Sequence, residues 1–242
     1  MSEQEFIKHA KKTYAILKSS ENGWKSKLLD IVIEILIIVF AVSVSIWLHN
    51  WSEKRLDNKE AKEFFFGLKK DLENDISQMS NSKVFYENTL SGIQYILAVG
   101  DGRNINKDSV NKYSGIFFSS TDLDPHIGRY EGLKSSGKFK IIENPEMLNN
   151  IINLHESIIR RIQELNDKYY QNNEKLESVI IQNIRLANNE KFTNAAEVVN
   201  RSDFKILLRI KMELIIYNIL PAHELGIHKC SEIIKQIDEE LK

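Results

Sequence analysis

Six histidines, one cysteine and scattered carboxylates are the residues of this 242-residue chain suited to metal or proton-transfer chemistry. The densest run is His223-Glu224-Leu225-Gly226-Ile227-His228, with Cys230 two residues on. A zinc-protease helix needs two histidines four apart on one face, with a glutamate beside the first. Here they are five apart, which turns the second by roughly 140° from the first. One helix cannot offer both to one ion, and Cys230 falls on another face again. A single cysteine also excludes an internal disulfide and a Cys-rich zinc site. No glycine-rich phosphate loop, serine elbow or Cys–His–Asn pattern occurs. Arg160-Arg161 reads as a surface pair and Glu239-Glu240 as a solvated helix end. The sequence therefore assigns no catalytic residue, no metal ligand and no cofactor.

The elements that hold these residues are helices. Ten glycines and three prolines are few breakers for such a length, which favours long helices over a turn-rich β fold. Hydrophobic content of 42% and charged content of 28% fit an ordinary folded chain. A formal net charge of −1 leaves no basic excess for nucleic acid.

One stretch departs from that average. Leu28 to Leu48 reads LLDIVIEILIIVFAVSVSIWL, with only Asp30 and Glu34 charged. As a helix it would span about 30 Å, the thickness of a bilayer's hydrocarbon core. Trp24 precedes it and Trp47 and Trp51 close it, as in the aromatic belts at membrane interfaces. This reads as an uncleaved signal-anchor: the preceding region is long, and no small-residue cleavage site follows the apolar run. Lys8, Lys11, Lys12, Lys18, Lys25 and Lys27 lie before it; Lys54, Arg55, Lys59 and Lys62 lie after it. That bias puts the N-terminus in the cytoplasm and the larger C-terminal part outside it. Glu34, Ala41 and Ser45 fall on one line of the helix, a stripe of small or polar residues. Small residues let helices approach closely in lipid, so this face is expected to meet another membrane helix, most simply its own copy. The alternative is a stripe with no partner.

Around the anchor, residues 1–27 form a tail whose 2–20 stretch has helical amphipathic spacing and lysines suited to an anionic membrane surface. After Trp51, Phe65, Leu68, Leu72, Ile76 and Met79 keep a helical period that runs on through Tyr86 and Ile93 to Gly100. A short helix is expected over 107–118, then a loop over 119–124. Asp124-Pro125 and Asn144-Pro145 each have the form of an N-cap and first helical residue. From Pro145 a stripe of Leu148, Ile152, His155, Ile159, Ile162, Leu165, Tyr169, Asn173, Leu176, Ile180 and Ile184 predicts a helix of bundle or coiled-coil length. Residues 188–202 read as a polar loop, and 203–220 and 221–242 as two further helices separated at Pro221. The fold class is all-α: one N-terminal transmembrane helix continuing into an antiparallel helical bundle over 49–242.

Two segments carry a resemblance. The first runs from Ile33-Glu34 through Val39, Ala41, Asn50 and Trp51 to Glu53-Lys54-Arg55. The second is Tyr130-Glu131-Gly132-Leu133-Lys134-Ser135-Ser136-Gly137, followed by Ile141-Ile142-Glu143-Asn144. Together they resemble an uncharacterised bacterial family, many of its members from Bacteroidota, that opens with a membrane helix ending in N-N-W and later carries Y-E-x-L-K-S-S-G. His49 stands where that family has its first Asn. The resemblance implies a single-pass membrane protein with a helical domain and no assigned activity.

In the second segment, Tyr130 and Leu133 are expected to anchor a short helix in the core, with Gly137 as its C-terminal cap. Arg129, Lys134 and Ser135 are the candidate binding residues. The function expected is binding or sensing at the bacterial cytoplasmic membrane, with the lipid bilayer and an unidentified protein as partners. The alternatives are a structural or scaffolding protein without a ligand, and an enzyme with a dispersed active site.

Overall fold

A computed structural model of the chain describes residues 11–12, 15, 24–100, 119–185 and 193–242. Most of the expected tail helix over 2–20 and all of that over 107–118 lie outside them, although Lys11, Lys12 and Ala15 are helical. Among the described residues the regular structure is helical, with no strand. The chain divides into two units, Met1–Ala61 and Lys62–Lys242.

Helix α1, Trp24–Gly100, contributes to both units. It contains no proline, and its first glycine is Gly67, so nothing in the sequence interrupts its hydrogen-bond ladder. In the first unit its apolar residues are open: Ile35, Leu36, Phe40, Val42 and Ile46 are all exposed. In the second unit Phe65, Leu68, Leu72, Met79, Tyr86 and Ile93 are buried on the expected face.

The second unit is built on three long helical runs. Helix α2 is Gly128–Ser135 and ends at Gly137, whose φ of 66° is the left-handed conformation glycine adopts without steric cost. Helix α3 (145–183) comprises Pro145–Asn153, a wide π turn Leu154–Ile159, and Arg160–Asn183. Asn144 caps it, its side-chain oxygen accepting the N–H groups of Glu146 at 3.0 Å and Met147 at 3.1 Å. Helix α4 is the short Ala195–Asn200. Helix α5 (202–240) comprises Ser202–Leu214, a second π turn Ile215–Ile219, and Leu220–Glu240.

Cross-contacts fix the directions. Lys69 pairs with Asp238 and Lys83 with Glu224, so α5 runs antiparallel to α1. Asn150 bonds Glu232 and Gln236, and Asn172 bonds the Leu207 carbonyl, so α5 also runs antiparallel to α3. Thus α1 and α3 run in the same direction. Gly226 lets α5 approach closely: a β-carbon there would lie 2.6 Å from Met79 Sδ and 3.3 Å from Ile162 Cδ1.

Four expectations need correction. At the start of α3, Met147 and Ile151 are buried and Leu148 and Ile152 only half-buried, one residue out of phase with the expected stripe, which His155, buried beside Leu154, rejoins. The π turn inserts an extra residue and rotates the face. Pro221 does not separate two helices. The Leu220 N–H bonds the Ile215 carbonyl five residues back, and this wider turn relieves the clash a proline ring makes inside an α-helix. The 188–202 stretch contains α4, whose Val198 is buried in the core. Asp124-Pro125 does not open a helix; α2 starts three residues after Pro125, because 119–127 is drawn out along α1.

Candidate functional site

The face of α1 that carries Asp71, Asp75, Gln78, Ser82 and Tyr86 has steps of three and four residues, so its polar groups form one row. Segment 119–129 lies along that row in reverse order. Thr121 Oγ1 is 3.1 Å from Ser82 Oγ. The Gln78 amide donates to the Asp124 carbonyl at 2.9 Å and accepts the Asp124 N–H at 3.1 Å. Asp75 Oδ1 accepts the His126 N–H at 3.1 Å and lies 2.7 Å from His126 Nδ1. Arg129 Nε donates to Asp71 Oδ2 at 2.9 Å. From Asp71 to Tyr86 the helix rises about 22 Å. Eight residues reach that far only when nearly extended, at about 26 Å; a helix of eight would cover about 12 Å. The segment is therefore a strap.

Asp71, His126, Gly128 and Arg129 line an open cleft of about 400 Å³ at the lower end of this strap. The Arg129 guanidinium rests on α1 where Gly67 has no side chain: a β-carbon there would fall 2.1 Å from Arg129 Cζ. Asp75 is buried, with no partner for Oδ2. Burial raises its carboxyl above the ordinary range, and the His126 hydrogen bonds partly offset this. The same carboxylate raises His126.

The candidate binding residues of α2 all have intramolecular partners. Besides Arg129 on Asp71, Lys134 Nζ is 2.5 Å from Glu156 Oε1, and Ser135 Oγ donates to the Gly132 carbonyl. Arg129 thus ties α2 to α1 and Lys134 ties it to α3. Tyr130 and Leu133 are buried as expected. The Tyr130 hydroxyl donates to Glu156 at 2.7 Å, and its ring stacks on His155 with centroids 4.4 Å apart. Neither His155 ring nitrogen has a partner, and burial lowers this histidine to about 4.

Beneath the strap lies a buried polar cluster. The Tyr86 hydroxyl donates to Asn166 Oδ1 at 3.0 Å and sits 3.4 Å from the Thr121 carbonyl. The Ser119 carbonyl has the Tyr169 hydroxyl and the Asn173 amide, each at 3.4 Å. Lys211 is fully buried; its Nζ donates to Asn173 Oδ1 at 2.6 Å and lies 4.3 Å from the centre of the Tyr169 ring. Desolvation lowers this amine to about 7. Sequence periodicity placed Tyr86, Tyr169 and Asn173 in the core stripes but missed Lys211. Its spacing from Leu208 and Ile215 on the buried face of α5 was the available signal.

His223 and His228 diverge, as their spacing requires. His223 is fully buried and its Nδ1 is 2.9 Å from the Ile219 carbonyl, whereas His228 is exposed. Burial pushes the Cys230 thiol up to about 12. Among the described residues no three His, Cys, Asp or Glu side chains gather as metal ligands.

The apolar segment lies within the first unit. Only 6% of its most apolar 18-residue window is buried, unlike the core helix of a soluble protein. Trp47 and Trp51 are exposed, with the Arg55 guanidinium 5.7 Å from the Trp51 ring. Trp24 opens the helix. Glu34 is buried, and its Oε2 lies 3.5 Å from Lys12 Nζ. Ala41 is half-buried, and the exposed Ser45 returns its hydroxyl to the Ala41 carbonyl at 2.9 Å.

A family model described as a family of unknown function, DUF6090, matches residues 34–214 of the 242. The chain belongs to that family. The match covers the strap, α2 and the Lys211 cluster. No curated protein and no solved structure matches the chain.

Proposed function

We propose that this family member is a single-pass protein of a bacterial cytoplasmic membrane whose helical domain binds or senses at the cell envelope. The observation that carries the reading is the Leu28–Leu48 stretch, which is long enough to span and exposes its apolar side chains to the surroundings. Lipid is the medium in which such a surface is stable. Exposed Trp47 and Trp51, with Arg55 beside them, supply the amphipathic groups that favour a membrane interface.

The lysine excess before the segment supports a cytoplasmic N-terminus and an external helical domain. The Ala41–Ser45 face supports pairing with a second copy: the serine hydroxyl is satisfied within its own helix, leaving a small surface for close contact. The open cleft lined by Asp71, His126, Gly128 and Arg129 at the strap supports a binding role for the domain.

The test is a pair of full-length chains carrying a C-terminal reporter, one active only outside the cytoplasm and one active only inside. Activity of the outside reporter alone, with the chain retained in membranes after an alkaline carbonate wash, is expected. Release by carbonate would overturn membrane insertion, and activity of the inside reporter would overturn the orientation.

A further inference from the structure

The strap is held differently from the rest of the domain. A row of hydrogen bonds fastens it to α1, and one of them, His126 on Asp75, joins a titratable side chain to a buried carboxylate. We propose that segment 119–129 is a pH-sensitive latch on α1, closed when His126 carries its proton and loosened as that proton is lost.

The charges around the pair decide the direction. On α1, Asp75 contacts the imidazole and Asp71 lies near it; on the strap, Asp124 is also near. All three favour imidazolium. Arg129, on α2, is engaged by Asp71. On α5 the buried Cys230 thiol senses Asp75, and it stays protonated through the neutral range. His126 is therefore the only described cation in contact with the Asp75 carboxylate.

Closing the strap raises both partners of the pair, His126 through the carboxylate and Asp75 through burial. By linkage, the closed state binds protons more tightly than the open one. Acid therefore favours closure. Stability of the closed state is fully present below the ordinary histidine value and is lost as pH rises through the raised one. Above it, Asp75 remains a buried anion with only neutral hydrogen bonds to hold it, and a charge-assisted bond is roughly twice as strong as a neutral one.

Opening would uncover what the strap covers. Leu123, on the strap itself, would lose its burial, and the Ser119 and Thr121 carbonyls would leave the Tyr169, Asn173 and Tyr86 groups beside Lys211. The latch thus controls access to the polar cluster of the core.

The experiment uses the full chain in detergent micelles with Cys230→Ser and Leu123→Cys, so that a thiol reagent reports strap opening. Rates are divided by those of the same chain in urea, which removes the intrinsic pH dependence of the thiol. Between pH 6 and pH 8.5 the normalised rate should rise about tenfold, the loss expected when a charge-assisted bond becomes neutral. His126→Gln should be labelled fast at pH 6 and show no rise. Asp75→Asn should also show no rise, yet stay slow, because an amide oxygen still accepts the His126 N–H and no buried anion remains. A flat profile in the parent, or a rise that persists in His126→Gln, overturns the latch. Circular dichroism of each variant checks folding. If Leu123→Cys fails to fold, Thr121→Cys, half-buried on the same strap, carries the same comparison.

Discussion

Lys211 offers the sharpest test of how this core is held, because its amine is fully buried without a carboxylate partner. Desolvation lowers it from 10.5 to about 7. The unfolded chain therefore holds a proton at pH 7 that the folded chain only half retains. The difference costs the fold about 4 kcal/mol at pH 7 and about 1.5 kcal/mol at pH 9.5. The sign is fixed by proton counting: between the two values the unfolded state binds more protons, so stability rises with pH. Lys211→Met keeps the length and apolar stem of the side chain and removes the titration. It also leaves Asn173 Oδ1 unpaired, which costs about 1–3 kcal/mol.

At pH 7 the variant should be equal to the parent or more stable by about 1–3 kcal/mol. At pH 9.5 that advantage should be gone or reversed. The readout is the difference between parent and variant melting temperatures, followed by far-UV circular dichroism of the full chain in micelles. Relative to the variant, the parent should gain about 3 kcal/mol across this window, or about 6–12 °C for a domain of this size. His126 and Cys230 also titrate differently in folded and unfolded chains. Both chains share these effects, so they cancel in the difference. A parent-minus-variant value that does not change with pH would refute the assignment of Lys211 as a desolvated, readily neutralised amine.

Gly67→Ala should displace the Arg129 guanidinium and break its bond to Asp71. The arginine is partly exposed and free to move, and helix propensity favours alanine by about 1 kcal/mol. Thermal stability should stay level or rise; a loss of several degrees would show that the Arg129 contact supports the domain. Within the membrane segment, Ala41→Leu with Ser45→Leu should weaken self-association of the full chain in a bilayer, measured by energy transfer between labelled copies. Unchanged transfer would refute pairing through that face.

Much of the architecture is legible along the chain. The apolar run of Leu28–Leu48, the absence of proline from α1, the Asn144-Pro145 start and the Gly137 stop are local signals. Each follows from hydropathy, from a missing N–H or from the φ a residue tolerates. The phase of a long helix is not local in that sense. One extra residue in the turn at Leu154–Ile159 moved the buried face from Leu148 and Ile152 to Met147 and Ile151, and the turn at Ile215–Ile219 carried α5 past Pro221.

The strap was illegible for a related reason. Asp124-Pro125 has good helix-start chemistry, but Gln78 and Asp75, more than forty residues earlier, offer its backbone better partners when it is extended. Likewise, nothing near Lys211 in sequence says that its amine will meet Asn173 and Tyr169 rather than water. Residue type and spacing determined where the long helices lie and which segment suits a lipid environment. Tertiary packing alone decided which polar groups lost water and which partners they received instead, because desolvation depends on neighbours distant in the chain.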